Sequence, residues 1–258
     1  MQVINIAVVQ TSLYWESVDE NLKHFTDKLS VIKDCDFIIL PEMFTTGFSM
    51  NPEALAEEST QKGLKWLKEM SVQCNAAIGG SLMYKEGDCY YNTFVFQEPN
   101  QAPQFYHKRH LFSPGEENKH YSHGNSKLII DYKGWRICPQ ICYDLRFPVF
   151  SRNTENYDLL VYVANWPEKR NYAWQTLLKA RAIENQCYVV SCNRLGADGN
   201  GVNHIGNSGI INYMGEEIGF GNEDKTYQFN LNKASLEQYR IEFPVLKDAD
   251  SFTINNLV

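Results

Sequence analysis

An α/β domain is what this sequence predicts, on three observations. Short apolar runs that read as buried strands alternate with helical patterns along the whole chain. No linker, low-complexity stretch or fixed-period repeat divides it. Of its 258 residues 43% are hydrophobic and 21% charged, an ordinary globular mix with material for a sizeable core. Length alone allows two small domains at roughly 150 residues each, but the unbroken alternation points to a single domain over residues 1–258.

The elements follow in order. Residues 4–10, Ile-Asn-Ile-Ala-Val-Val-Gln, are short, apolar and β-branched, a buried strand. Ser17 with Glu20 three residues on reads as a capping box. Behind it Val18, Leu22, Phe25, Leu29 and Ile32 recur at spacings of 4, 3, 4 and 3, one face of an amphipathic helix. Residues 36–40 form the next buried strand, stopped by Pro41. A second helix is expected over 64–72, with strands over 76–82 and 90–97. Residues 127–132 and 134–141 read as a strand pair, although Pro139 removes a ladder donor from the second. Residues 159–164 are a strand, 172–186 a helix carrying Trp174, Leu177, Leu178 and Ala182, and 188–192 a strand. Strands at 208–213 and 225–229 and a helix from about Ala234 to before Pro244 complete the pattern, with 196–201 left as a loop. An open alternating sheet binds its ligand just beyond the C-terminal ends of its strands.

Composition narrows the partners. Lys and Arg total 24 against 31 Asp and Glu, a net charge of −7, so the basic footprint of a nucleic-acid binder is absent. No apolar run approaches the roughly 20 residues of a bilayer span, and the first residues lack the features of a signal peptide. The seven cysteines are odd in number and scattered, which is neither a disulfide framework nor a zinc ribbon. Cys138 and Cys142 look pairable, but four extended residues span about 13 Å, beyond the roughly 7 Å a disulfide allows. Free thiols suit a reducing, cytoplasmic setting.

Three reactive residues sit just past predicted strands or in loops: Glu42 after residues 37–41, Lys108 within Tyr106-His107-Lys108-Arg109-His110, and Cys142 after residues 135–141. Singly, each has a plain reading: a solvated Glu, a surface Lys, a Cys acting as a small buried hydrophobe. In this order they carry more. Pro41-Glu42-Met43-Phe44, then Lys108-Arg109-His110-Leu111-Phe112, then Ile141-Cys142-Tyr143-Asp144-Leu145-Arg146-Phe147-Pro148 resemble the nitrilase superfamily of carbon–nitrogen hydrolases. The likeness continues through Ala164-Asn165-Trp166-Pro167, Ala180-Arg181-Ala182-Ile183-Glu184-Asn185-Gln186, Cys192-Asn193-Arg194 and Gly199-Asn200-Gly201. Tyr239-Arg240-Ile241-Glu242-Phe243-Pro244 and Asp248-Ala249-Asp250 resemble the omega-amidase branch in particular.

The resemblance implies a four-layer α-β-β-α sandwich with two central sheets, which the periodicity does not give. It maps the family's triad onto Glu42, Lys108 and Cys142, with a second carboxylate beside the lysine at Glu117, Glu116 being the near miss. The residue types suit that chemistry. A free thiol has a pKa of about 8.5 and needs a base near neutral pH. Glu42 supplies the base. Lys108 and the backbone N–H of Tyr143 supply charge where an oxyanion develops, each such donor commonly being worth ~3 kcal/mol or more of barrier. No metal or cofactor enters. Arg146 suits the free carboxylate of an acidic substrate or, equally, an ion pair with Asp144 or Glu184. Trp166 and Phe44 suit a pocket wall, although aromatics after strands are more often core. The implied substrates are short dicarboxylic monoamides, 2-oxoglutaramate or 2-oxosuccinamate, and the implied assembly is a homodimer through about 147–153 and 172–186. A nitrilase or aliphatic amidase would use the same triad. Other classes stay open on the residues alone. One is a zinc hydrolase built on His107, His110, His120 and His123; others are a Cys–His dyad and a non-catalytic binding relative.

Overall fold

The computed structural model describes residues 2–256. In chain order β1 (Val3–Gln10), α1 (Val18–Leu29), β2 (Phe37–Ile39), α2 (Pro52–Cys74), β3 (Ala77–Glu86), β4 (Cys89–Gln97) and β5 (Gln104–His107) form the first half. A short helix α3 (Glu117–His120) leads to β6 (Ile130–Tyr132), β7 (Trp135–Ile141), the 3-10 turn Cys142–Arg146 and α4 (Pro148–Ser151). Then come β8 (Leu159–Ala164), α5 (Asn171–Asn185), β9 (Tyr188–Asn193), β10 (Leu195–Ala197), β11 (Asn203–Ile205), β12 (Ser208–Ile211), β13 (Glu217–Gly221), β14 (Lys225–Asn232) and α6 (Lys233–Glu242).

The strands make two six-stranded sheets, ordered β14-β1-β2-β3-β4-β5 and β13-β12-β9-β8-β7-β6, with β10–β11 a separate hairpin. Parallel pairs sit at the centre of each, β1-β2-β3 in one and β7-β8-β9 in the other. Side-chain alternation along each strand explains the layering. Ile6 and Val8 of β1, with Phe37 and Ile39 of β2, join Val161 and Val163 of β8 and Val190 of β9 in one core between the sheets. The intervening residues Ala7, Val9 and Ile38 face the other way onto Phe25 of α1 and Leu67 and Met70 of α2. Leu160, Tyr162 and Val189 face outward onto Trp174, Leu178 and Ala182 of α5. The result is the four-layer α-β-β-α sandwich. Both faces of each central strand are buried, so these strands read as apolar runs rather than alternating ones.

Several expectations are corrected. The helix expected over 64–72 begins at Pro52, a residue suited to the first helical turn. Ser17 does precede α1, but its side chain makes no capping bond. The entry to α1 is fixed by Asn21 in its first turn, whose side-chain nitrogen donates to the carbonyls of Tyr14, Ser17 and Thr45. The segment 196–201 is not a plain loop: it carries the end of β10 and the turn to β11, paired Leu195 to Ile205 and Ala197 to Asn203. Strands β5 and β13 were not expected. Pro139 is tolerated because β6 pairs only with Trp135, Arg136 and Ile137, so that edge of β7 has no ladder left to break. Among the described residues no helix is long and apolar enough to cross a membrane.

Candidate active site

Three strand ends converge. Glu42 lies just past β2, Cys142 directly follows β7, and Asn165 directly follows β8, the C-terminal edge where parallel sheets place their ligands. Lys108 follows β5 and is pinned there by its backbone N–H, which donates to Asn92 O of the neighbouring β4 at 2.8 Å. Two turns leave the ordinary backbone regions: Met43, after Glu42, has φ 46°, and Cys142 has φ 44°. Left-handed conformations at non-glycine residues cost on the order of 1 kcal/mol or more each. The surroundings hold them: Met43 N–H donates to Ser81 Oγ at 2.9 Å, and Ile141 N–H donates to Asp144 Oδ2 at 2.9 Å.

Glu42, Lys108 and Glu117 are each 0% exposed. Lys108 Nζ donates to Glu42 Oε1 at 2.9 Å and to Glu117 Oε1 and Oε2 at 3.0 and 2.9 Å. Asn92 Nδ2 donates to the same two carboxylates, at 2.8 Å to Glu42 and 3.1 Å to Glu117, while its Oδ1 accepts from Ser81 at 2.8 Å. Glu117 Oε2 also accepts from the Phe112 amide at 2.6 Å. Glu42 Oε2 accepts from the Asn165 amide at 2.7 Å. The Cys142 thiol lies in the fields of Glu42, Lys108 and Glu117. Glu116, by contrast, is exposed and pairs with Lys119.

The electrostatics follow from burial and charge count. Two carboxylates face one ammonium, and all three are fully buried. Burial pushes the Cys142 thiol well above its ordinary value; Glu42 adds to this, and Lys108 only partly opposes it. Burial disfavours the Lys108 ammonium, but the adjacent Glu117 and Glu42 outweigh it and raise Lys108 overall. Glu117 is raised, by burial first, against the pull of Lys108. The resting site therefore holds a thiol and an ammonium. A thiolate would add a second uncompensated negative charge beside two buried carboxylates.

Cys142 opens onto a cavity of about 350 Å³ whose walls include Phe48, Phe112, Tyr143, Arg146, Asn165, Trp166, Arg170 and His204. Tyr143 sits in the first turn of the 3-10 segment, where backbone N–H groups lack an intrahelical carbonyl. Arg146 lies with its guanidinium 5.0 Å from the Trp166 ring centroid. It makes no ion pair with Asp144 or Glu184. Asp144 accepts from Tyr106 OH at 2.7 Å and from the His110 amide at 3.0 Å, and Glu184 pairs with Arg181 at 2.9 Å. Phe44 does not line the cavity. It is fully buried beneath it, edge-on to Phe25 and tilted on Trp66, because the β2 edge turns it toward the helix layer rather than toward Cys142.

The four histidines of the metal-like spacing have scattered environments. His107 faces Thr93 and stacks on Tyr91, and His110 bonds Asp144 and stacks on Phe147. Among the described residues no group of three or more His, Cys, Asp and Glu is placed to hold a metal ion. Asn92, Asn165 and Asp144 are the site residues the sequence reading did not single out. Asn165 carried a usable signal, since it directly follows a strand end as Cys142 does. Asp144 fastens the Lys108 loop to the nucleophile turn through Tyr106 and His110. That link spans residues 106–144 and leaves no local mark in sequence.

Comparison with known proteins agrees with this geometry. A family model described as carbon–nitrogen hydrolase matches residues 5–240. The chain is 45% identical over 257 residues to the omega-amidase YafV of Escherichia coli (strain K12), covering 98% of this chain and 100% of the relative. It is 31% identical over 252 residues to the 2-oxoglutaramate amidase of Bacillus subtilis (strain 168), covering 94% and 96%. Among solved structures XC1258 from Xanthomonas campestris, a CN-hydrolase superfamily protein with an arsenic adduct in its active site, is similar with a TM-score of 0.94 at 38% identity, covering 99% of this chain and 100% of that one.

Proposed function

The chain belongs to the carbon–nitrogen hydrolase family, and from that premise we infer that it is an omega-amidase, releasing ammonia from the terminal amide of short dicarboxylic monoamides such as 2-oxoglutaramate and 2-oxosuccinamate. The observation that carries this reading is the convergence of Glu42, Lys108 and the Cys142 thiol at the wall of a 350 Å³ cavity. The omega-amidase and 2-oxoglutaramate amidase relatives support the substrate class.

Each residue's role follows from its contacts. Cys142 Sγ attacks the amide carbon as Glu42 takes the thiol proton. The raised thiol makes this transfer part of the attack rather than a prior ionisation. The carbonyl electron pair moves onto oxygen. There the Tyr143 N–H donates to it and the Lys108 ammonium, held by Glu42 and Glu117, supplies positive charge. The tetrahedral species collapses, the C–N bond breaks, and the nitrogen leaves as ammonia with the proton from Glu42. A thioester on Cys142 remains. Glu42 then takes a proton from water, whose oxygen attacks the thioester carbon, and the sulfur departs with that proton. Glu117 holds Lys108 in place. Arg146, unpaired by any carboxylate among the described residues, faces the substrate's free carboxylate. Arg170 and Lys169 add positive charge to the same walls, so the pocket is locally cationic in a chain of net charge −7. Trp166 forms part of the wall behind Arg146.

The same reading takes residues 1–258 as a single carbon–nitrogen hydrolase domain acting in the cytoplasm as a homodimer. The inter-sheet core supports the first point, drawing on β1 at one end and Ile254 at the other. Seven free cysteines support the second. Large apolar side chains left in the open support the third: Val149 at 59% exposure, Tyr172 at 84% and Ile183 at 53%, on or beside the helices that follow the nucleophile.

The test is ammonia release from a panel: 2-oxoglutaramate and 2-oxosuccinamate against glutamine, asparagine, a simple aliphatic amide and a simple nitrile. The 2-oxo acid amides are expected to lead. A simple amide or nitrile that clearly outruns them removes the omega-amidase assignment and leaves the family intact.

A further inference from the structure

Two guanidinium groups stand at the Cys142 cavity, and among the described residues no carboxylate pairs with either. Arg146 rests on the Trp166 ring and Arg170 on the Phe112 ring, 5.0 and 5.1 Å from the centroids. All four residues line the cavity with Cys142. The Arg170 side chain is half-buried, and its contact is that ring rather than a hydrogen bond or an ion pair. Glu168, on the same 3-10 turn, accepts from Asn203 Nδ2 at 2.7 Å instead. Asp198, the one carboxylate among the described residues of the cavity wall, accepts from the Asn200 and Val202 amides at 2.9 Å each. Burial lowers Arg170 from its ordinary value, and the Arg146 charge lowers it further, as like charges held close to one another do. Both aromatic platforms are fastened to the catalytic groups. Phe112 gives its amide to Glu117 Oε2 at 2.6 Å and packs edge-on against Tyr143. Trp166 follows Asn165, whose amide is on Glu42, and its indole Nε1 donates to the Arg170 backbone carbonyl at 2.8 Å. The two guanidiniums are therefore held at set places relative to the nucleophile.

We propose that Arg170 donates to the 2-oxo oxygen of the substrate and is the residue by which the site excludes 2-amino acid amides. This rests on the omega-amidase reading above and specifies it. In that reading the free carboxylate goes to Arg146. The C2 carbonyl is bonded directly to the carboxylate carbon, so its oxygen calls for a second donor close to Arg146. A guanidinium only donates and is always charged. A 2-oxo oxygen only accepts, and the bond between them is charge-assisted. In glutamine and asparagine the same carbon carries an ammonium group, which offers only donors and a positive charge. It meets Arg170 donor to donor and charge to charge, at a half-buried position where water screens less than in bulk. A site built to hydrogen-bond one group rejects an analogue that cannot make the bond far more strongly than it rejects a difference in size. General positive charge on the wall does not produce this discrimination. Glutaramate, the monoamide with CH₂ at C2, satisfies Arg146 and leaves Arg170 without its acceptor.

The experiment compares three amides that differ only at C2: 2-oxoglutaramate, glutaramate and glutamine. Arg170→Met keeps an apolar stem for Phe112 and the backbone carbonyl that Trp166 uses, but it has no donor. In this variant kcat/KM for 2-oxoglutaramate is expected to fall about ten-fold or more, chiefly through KM. Glutaramate is expected to stay within about three-fold, and the preference for 2-oxoglutaramate over glutamine to shrink at least ten-fold. If 2-oxoglutaramate and glutaramate fall together, or if neither falls, the proposal is overturned. A second measurement leaves Arg170 in place. The Cys142→Ala protein, titrated by calorimetry, is expected to bind 2-oxoglutaramate at least ten-fold more tightly than glutaramate, and equal affinities overturn the proposal. The two readings fail differently. A wild type that turns over a simple aliphatic amide faster than 2-oxoglutaramate removes the omega-amidase reading and this assignment with it. A wild type that leads with 2-oxoglutaramate, with unchanged ratios in Arg170→Met, removes the assignment alone.

Discussion

Replacing Glu117 with Gln perturbs the site without changing its shape. Each carboxylate oxygen accepts two donors: Oε1 takes Lys108 at 3.0 Å and Asn92 at 3.1 Å, and Oε2 takes Lys108 at 2.9 Å and the Phe112 amide at 2.6 Å. An amide must put its NH₂ on one side, where it meets two donors with no acceptor. Two hydrogen bonds to a charged group go, each worth about 1.5–3 kcal/mol. Lys108 then keeps only one neutral oxygen of Gln beside the Glu42 carboxylate, loses its second ionic partner and shifts from the position from which it meets the oxyanion. With an oxyanion donor worth ~3–4 kcal/mol, Glu117→Gln is expected to lower kcat/KM for ammonia release by about 100- to 1000-fold. It is also expected to lower the melting temperature by several degrees. Removing one negative charge also removes one of the influences that raise the Cys142 thiol, so the rate of iodoacetamide alkylation is expected to climb at lower pH than in wild type. Glu116→Gln is the control, on an exposed carboxylate paired with Lys119, and is expected to leave activity and melting unchanged. The reasoning is refuted if Glu117→Gln keeps kcat/KM within three-fold of wild type, or if Glu116→Gln is the more damaging of the two.

Three further outcomes follow from the same geometry. Cys142→Ala is expected to retain the native circular dichroism and melting curve while losing all ammonia release above background, and residual turnover in that variant would require another nucleophile. Asp144→Asn keeps the shape but weakens the acceptor of Tyr106, the His110 amide and ring, and the Ile141 amide. It is expected to cost about 2 kcal/mol of stability together with at least ten-fold in kcat, measured by urea unfolding and steady-state kinetics. Stability is expected to fall as pH rises above about 9. Burial pushes the Cys138 thiol up to about 12 and raises Cys187 and Cys192 in the same direction, whereas unfolded thiols lose their protons near pH 8.5. Above that pH the unfolded chain therefore binds fewer protons than the folded one, so each such thiol removes ~1.4 kcal/mol per pH unit up to its folded value. A urea midpoint that stays level from pH 8 to pH 11 would contradict this.

What the sequence disclosed depended on range. Periodicity located α1 and α5 because each lays one apolar face on a sheet, and β1 and β8 stood out as unbroken apolar runs because both of their faces are buried. The two-sheet architecture came from the family resemblance alone. Whether successive strands join one sheet or two is set by pairings such as β1 with β14, some 220 residues apart, and no local pattern encodes them. Short β5, only four residues long, carries too few side chains to show a period, yet it sets the position of Lys108. Cys142, Glu42 and Lys108 were legible through their flanking motifs, and Glu117 through its place after the Lys108 loop. Phe44 and Trp166 had the same two readings in sequence, core or pocket, and separate only because one faces the helix layer and the other the cavity. Asn92 sits in an ordinary strand pattern. Its role depends on two carboxylates that are remote in sequence.

The most direct test of proton transfer from Cys142 to Glu42 is single-turnover ammonia release by Glu42→Gln, in protein whose melting curve is native. Gln keeps the contacts with the Asn165 amide and the shape of the pocket but cannot take the thiol proton. General-base catalysis commonly contributes about 10²- to 10⁴-fold, so the expected rate is at least 100-fold below wild type. His204→Ala, which removes the histidine in the cavity wall, should stay within ten-fold. A folded Glu42→Gln enzyme that releases ammonia at close to the wild-type rate, or a collapse in His204→Ala with Glu42→Gln still active, would show that the proton goes elsewhere.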